Sequence, residues 1–163
     1  YKHFLSVGRL DYASEGLLLL SDSVEVVDAL MHSDLERVYK IKVNGVITKP
    51  VEQAMQNGLE IEDATSGAHK NNKIKSMSFS PFLAYDIQTN GEKFSKIKVV
   101  ISEGKNRELR RFFAHFGLDV LDLKRLEYGG ISLNNLPTGK TRFLSKDEYK
   151  NLRIFMNEDD RSI

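Results

Sequence analysis

An α+β domain is what this sequence predicts, and three observations carry that expectation. Short stretches alternate apolar with polar residues, as half-buried strands do. Turns or short helices connect them. The regular strand–helix–strand rhythm of a doubly wound parallel sheet is missing. The 163 residues are 40% apolar, enough for a sizeable core, and no Pro/Gly/Ser-rich linker divides them.

Phe4-Leu5-Ser6-Val7 already reads as ordered structure, and residue 1 is Tyr rather than Met, so the expectation is a fragment lacking something upstream. Leu17–Leu20 is a fully apolar strand or helix. Ser21-Asp22-Ser23 clusters N-cap residue types, and Val26, Val27, Leu30 and Met31 recur at helical spacing, which predicts a helix over 23–32. Across Val38–Val43, Tyr39, Ile41 and Val43 share one face and Lys40 and Lys42 the other, a half-buried strand. Thr48-Lys49-Pro50 opens a helix that Asn57-Gly58 closes. Leu59–Ile61, Met77–Ser80, Ala84–Gln88 and Ser95–Ile101 read as strands, residues 64–73 as a polar loop, and Asn90-Gly91 as hairpin turn chemistry. A helix is expected over 106–116, stopped by Gly117, then strands at Val120–Arg125 and Ile131–Leu133 around Gly129-Gly130. Ser145-Lys146-Asp147-Glu148 is a capping box that starts the last helix. The expected domain covers 1–156, with 157–163 a charged, frayed tail.

Several chemistries lack support. Zero cysteines removes disulfides, thiolate metal sites and a cysteine nucleophile. There is no phosphate-binding GxxxxGK[ST] loop, no HExxH and no GxSxG. His3, His32, His69 and His115 are scattered without metal-ligand spacing. No apolar run approaches the roughly 20 residues a bilayer demands, and no signal peptide is seen.

The net charge is only +1, from 24 basic and 23 acidic residues, but the charge is sorted. Residues 93–125 hold nine basic side chains against four acidic ones, so the remainder is net negative. Such a segment suggests a polyanion-facing patch. At about 100° per residue, Leu109, Phe112, Phe113 and Phe116 form one apolar stripe on the 106–116 helix. Arg107 and Arg111 then fall opposite it, exposed and free to meet phosphate, while Arg110 sits on the flank, within reach of a carboxylate in a cleft.

The acid that stands out is Asp11, in Gly8-Arg9-Leu10-Asp11-Tyr12-Ala13-Ser14-Glu15-Gly16, directly before the leucines. A carboxylate beside apolar surface is costly unless paired. Read from these residues alone, it closes a turn or does chemistry.

Gly8–Leu20 resembles the GRLDxxTSGLLLLT signature of bacterial ribosomal pseudouridine synthases of the RsuA/RluB family. Residues 103–113, Glu-Gly-Lys-Asn-Arg-Glu-Leu-Arg-Arg-Phe-Phe, resemble that family's EGRNRQ(V/I)RRMF segment. Arg37–Val43 is similar to its Tyr-bearing strand, and Val120–Leu126 and Gly130–Leu144 to its closing segments, so the likeness runs in order over about residues 5–152. Ser14 stands in place of the usual Thr, and Glu108 in place of the usual Gln. The small N-terminal RNA-binding domain common in the family is not in this sequence.

The resemblance implies the pseudouridine synthase catalytic fold, a mixed, mostly antiparallel sheet flanked by helices around a central cleft. It implies isomerisation of a uridine in ribosomal RNA, leaning to the large subunit. Asp11 would be the nucleophile or the base that removes the C2′ proton, Arg110 its ion-pair partner, and Tyr39 the residue that stacks on the base and relays the C5 proton. Arg9, Lys105, Arg107, Arg111, Lys124 and Arg125 are the RNA-binding candidates. No metal and no cofactor is expected, since no redox or phosphoryl step occurs. Ribosomal RNA is the expected partner, with a monomer, no obligate protein partner, no membrane and a cytoplasmic location. A non-catalytic RNA-binding ribosome-assembly module on the same fold is the alternative. A two-carboxylate hydrolase using Asp11 and Glu15 is a weaker one.

Overall fold

The computed structural model describes residues 2–61, 76–102 and 107–161, with side chains described as far as residue 157. The expected loop at 64–73, and Lys105, lie outside the described residues.

Ten strands and four helices are formed among the described residues. The chain opens with β1 (Leu5–Ser6), β2 (Ser14–Gly16) and β3 (Leu20–Ser21), then α1 (Val24–Met31) and β4 (Arg37–Val43). There follow α2 (Lys49–Asn57), β5 (Leu59–Ile61), β6 (Met77–Phe79), β7 (Ala84–Asn90) and β8 (Ser95–Ile101). Last come α3 (Glu108–His115), β9 (Val120–Tyr128), β10 (Ile131–Ser132) and α4 (Lys146–Arg161). The main sheet runs β10-β9-β4-β8-β7, and every pairing in that order is antiparallel. β2 joins β9 in parallel, which makes the sheet mixed but mostly antiparallel, as expected. β1 pairs β3, and β5 pairs β6.

Two apolar clusters follow from the side-chain patterns. Alternation puts Ile41, Val43, Ile97, Val99 and Leu123 on one side of the sheet, where Val51, Ala54 and Met55 of α2 and Leu109, Phe112 and Phe113 of α3 cover them. The apolar stripe anticipated for the 106–116 helix is this contact. The second cluster joins Val7, Leu17 and Leu19 to Val27 and Leu30 of α1 and to Tyr128, Ile131 and Leu133, with Leu152 and Phe155 of α4 against it. The leucine run is neither strand nor helix along its length. Leu17 and Leu19 are buried while Leu18 and Leu20 are exposed, the period of an extended chain.

Local chemistry fixes the element ends. Ser23 caps α1 by accepting from Val26 N, and α2 begins with Pro50 in its first turn and ends at Gly58. The expected Asn90-Gly91 turn is built differently. Asn90 is the last residue of β7, and its side chain clamps the Ile47 backbone at both N and O. Gly91 N donates to Phe94 O, closing a four-residue loop over 91–94.

The capping box forms as read. Glu148 N donates to Ser145 Oγ (3.2 Å), and Ser145 N to Glu148 Oε1 (2.8 Å). Helix α4 then continues to Arg161, beyond the point where the tail was expected to begin. Glu148 also takes a bidentate pair from Arg142 (2.7 and 2.9 Å) and a bond from Ser132 N (3.1 Å), which ties α4 to β10. The Arg142 hydrogen bonds are the chief reason its carboxyl is held down at about 2. The folded state therefore binds this proton less readily than the unfolded chain, where Glu titrates at about 4.3. The resulting stability is fully present above that value and is lost as pH falls toward 2. Glu148→Gln is expected to cost about 1–2 kcal/mol at pH 7, after allowance for solvent screening. In urea unfolding, the difference from wild type should shrink steadily between pH 4.5 and 2.5; an equal difference at pH 7 and pH 2.5 would contradict the assignment.

Candidate active site

A cleft of about 530 Å³ opens between the two apolar clusters. Leu109, Leu123 and Ile101 line it from one cluster, Val7 and Tyr128 from the other. Its size falls within the roughly 300–1,000 Å³ usual for small-molecule sites. Of the residues picked out from sequence, Asp11, Tyr39, Arg110, Arg9, Arg107 and Arg125 all line it.

Asp11 lies in the loop between β1 and β2. Its backbone carbonyl accepts from Ser14 N (2.8 Å), so the residue does close a turn, but with its main chain. That leaves the carboxylate for the cleft, where Oδ2 stands 3.9 Å from Arg107 Nη1 and 3.9 Å from Arg110 Nε. At that separation both are charge–charge contacts, too long for hydrogen bonds. Two cations flank the carboxylate, whose oxygens accept no hydrogen bond among the described residues.

Arg110 is 8% exposed and clamped. Its Nη2 donates to Ala13 O (3.0 Å) and Ser14 Oγ (3.3 Å), and Nη1 to Val120 O (3.4 Å), leaving Nε on the Asp11 side. Burial lowers its pKa, Arg107 lowers it further, and Asp11 opposes both. The flank position expected from helix phase is the position found. Ser14, the hydroxyl that replaces the usual Thr, is one of the atoms that orient this guanidinium.

Tyr39 is half-buried on β4 and packs against the first cluster. A shift in the β4–β9 register between Val38 and Tyr39 lies immediately beside it, the kind of irregularity that re-aims a side chain.

Three basic residues stand elsewhere than expected. Arg111 is not on an RNA face: it is 1% exposed, with Nη1 on Met77 Sδ (3.7 Å). The reason is that α3 is covered on two sides, by the sheet and by the β5–β6 hairpin, whereas the phase argument allowed it one buried side. Burial and the Arg107 charge together lower the Arg111 pKa. Arg125 lines the cleft but is buried, and its Nε donates to Leu17 O (2.8 Å), holding the chain that follows the Asp11 loop. Lys124, its neighbour in β9, is aligned with Lys40 and lies away from the cleft. Arg107 also departs from helix phase, because it caps α3 in the left-handed region (φ 49°) and so turns toward Asp11. Glu15 pairs with Lys124 in the β2–β9 register and is not among the cleft residues, which removes the two-carboxylate hydrolase.

Arg37 and Tyr128 also line the cleft, without a motif that marks them. Arg37 is buried at the cleft wall, donating to Ser102 O (2.7 Å), Ser33 O (3.1 Å) and Tyr128 Oη (3.0 Å). The guanidinium carbons of Arg37 and Arg125 lie 4.7 and 5.3 Å from the Tyr128 ring centre, within cation–π range. A signal existed for Arg37, since it shares strand parity with Tyr39 and Ile41.

This geometry can be set beside known proteins. A family model described as RNA pseudouridylate synthase matches residues 1–115. The chain belongs to the RNA pseudouridylate synthase family. Among curated members, an uncharacterized RNA pseudouridine synthase of Helicobacter pylori is 60% identical over 156 residues, covering 96% of this chain and 60% of that protein. The ribosomal large subunit pseudouridine synthase B of Bacillus subtilis is 34% identical over 149 residues, covering 90% of this chain and 56% of its own. The chain thus spans about 56–60% of the length of these two family members. A crystal structure of a pseudouridylate synthase superposes with a TM-score of 0.70 at 24% identity, covering 93% of this chain and 60% of that one, which shows the shared fold. Among the described residues no group of His, Cys, Asp and Glu could hold a metal ion, and no helix is long and apolar enough to cross a membrane.

Proposed function

We propose that this chain isomerises a uridine of ribosomal RNA, in the large subunit, to pseudouridine. The observation that carries the reading is Asp11, presented at the cleft between Arg107 and Arg110 with its oxygens free of hydrogen bonds among the described residues, and with Tyr39 lining the same cleft. Family membership supports the reaction class. The name of the Bacillus subtilis relative supports the choice of subunit.

The reaction breaks the N1–C1′ bond, turns the uracil, and joins C5 to C1′. Asp11 opens it, by attack at C1′ or by removing the C2′ proton; both routes need an ionised carboxylate beside apolar surface, and the two arginines offset that cost. As C5 bonds to C1′, the Asp11–C1′ bond of the first route breaks, or in the second Asp11 returns the proton to C2′; the C5 proton then leaves through Tyr39 while N1 gains one, so bonds and protons balance. A paired uridine must leave its stack first, at a cost of a few kcal/mol. Arg9, exposed at the cleft mouth, and Arg107 offset it by contact with the flanking phosphates.

The test is release of tritium from ribosomal RNA carrying 5-tritiated uridine. One tritium should appear in water per pseudouridine formed. RNA binding without release would overturn the proposal in favour of a non-catalytic RNA-binding module.

A further inference from the structure

The segment 93–125 is rich in basic residues, yet the cleft accounts for only part of it. Arg107, Arg110 and Arg125 line the cleft, and Arg111 is in the core. Lys96, Lys98 and Lys124 lie elsewhere, and strand register shows where. Lys98 is opposite Lys40, Lys40 is opposite Lys124, and Lys96 is opposite Lys42. These positions have the parity contrary to Ile41, Val43, Ile97 and Leu123, so all five lysines rise from the side of the sheet that faces away from α2, α3 and the cleft.

Strands lie about 4.8 Å apart and successive same-face residues about 6.7 Å apart. The five side chains therefore spring from an area roughly 10 Å by 7 Å at the backbone. Like charges directly opposite one another destabilise a sheet. Here three stand in one row across three adjacent strands, and none of the five forms an ion pair among the described residues. Carboxylates flank the rows: Asp86 is opposite Lys98, Glu15 opposite Lys124, and Asp122 opposite Lys42. They mark the edges of a cationic centre. Phe94, 37% exposed, lies beneath two of the ammonium groups, 4.7 Å from Lys42 Nζ and 5.7 Å from Lys96 Nζ. These cation–π contacts hold the two ammonium groups together over one ring, where a single phosphate of an RNA backbone could meet both.

We infer that this lysine face is a second RNA-contact surface, which holds the phosphate backbone of the same RNA whose uridine enters the cleft on the other side of the sheet. The inference rests on the proposed RNA substrate but requires no catalysis. Bound phosphates would relieve the repulsion among the lysines that stand opposite one another.

The test compares wild type with the double variant Lys40→Gln/Lys98→Gln, measuring the dissociation constant for a ribosomal RNA transcript from 50 to 300 mM salt. Loss of two phosphate contacts should reduce the salt slope by about 1.4–1.8 and weaken binding roughly 10- to 50-fold near 0.1 M salt. Lys146→Gln/Lys150→Gln, on α4, removes the same charge elsewhere and should change the slope little. Without RNA, the Lys40→Gln/Lys98→Gln protein should melt at or above the wild-type temperature. A wild-type slope in the double variant, or an equal loss in the α4 control, would overturn the inference. The readout is equilibrium binding, so it stands apart from tritium release: failure to isomerise and failure of this face are separate results.

Discussion

Asp11→Asn should lower the rate of uridine isomerisation on the order of 10³-fold or more while leaving RNA binding intact. The substitution keeps shape and removes only the carboxylate. Since the turn at this position is closed by the Asp11 carbonyl to Ser14 N, the loop has no reason to rearrange. Arg110 is held by Ala13 O, Ser14 Oγ and Val120 O, so it keeps its place without the anion. The cleft then carries one negative charge fewer beside Arg107 and Arg110, and RNA phosphates should bind as tightly as before or slightly more tightly. Single-turnover tritium release beside a filter-binding titration separates the two effects. Release within tenfold of wild type would show that Asp11 is not the reacting group.

The second large effect is on folding. Gly16→Ala should cost about 3–5 kcal/mol, a large fraction of the stability of a domain this size. Gly16 has φ 112°, where side chains are strained, and its partner in the β2–β9 pair is Arg125. A Cβ there would run into the Arg125 main chain, coming within 2.6 Å of its N and closer still to its O. Backbone cannot swing aside as a side-chain tip can, so β2 would have to part from β9. Gly8 is the control. It also has a positive φ, 70°, but nothing lies within 4 Å of a Cβ built there. Gly8→Ala should therefore show only the conformational cost, about 1 kcal/mol. If urea unfolding finds the two substitutions equal, close approach to β9 is not what the glycine serves.

The elements were legible wherever a local rule decided them. Alternation located β4, cap chemistry located α1 and α4, and the apolar stripe gave the packed side of α3. That Asp11, Tyr39 and Arg110 would come together in one cleft was legible through motif resemblance together with the flank position of Arg110. What local pattern could not reveal was the destination of the other arginines. Helix phase treats a helix as having one covered side, so it put Arg111 in solvent, although the β5–β6 hairpin brings Met77 over it. It also assumed that Arg107 is helical, although its left-handed backbone re-aims it at Asp11. Arg125 and Lys124 are both RNA-binding candidates by sequence, yet alternation sends one to the cleft and the other to the opposite face.

The bonds that frame the cleft join distant parts of the chain. Arg110 to Ala13 spans 97 positions, Arg125 to Leu17 spans 108, and the Tyr128 hydroxyl reaches Leu30 across 98. Each such contact must repay a long loop closure, and contacts of this kind form only when most of the chain is already arranged. The geometry of this cleft should thus be a late product of folding, with no local nucleus of its own. A partly folded chain should have no partial activity, and the appearance of function during refolding should track completion of β9 pairing with both β2 and β4.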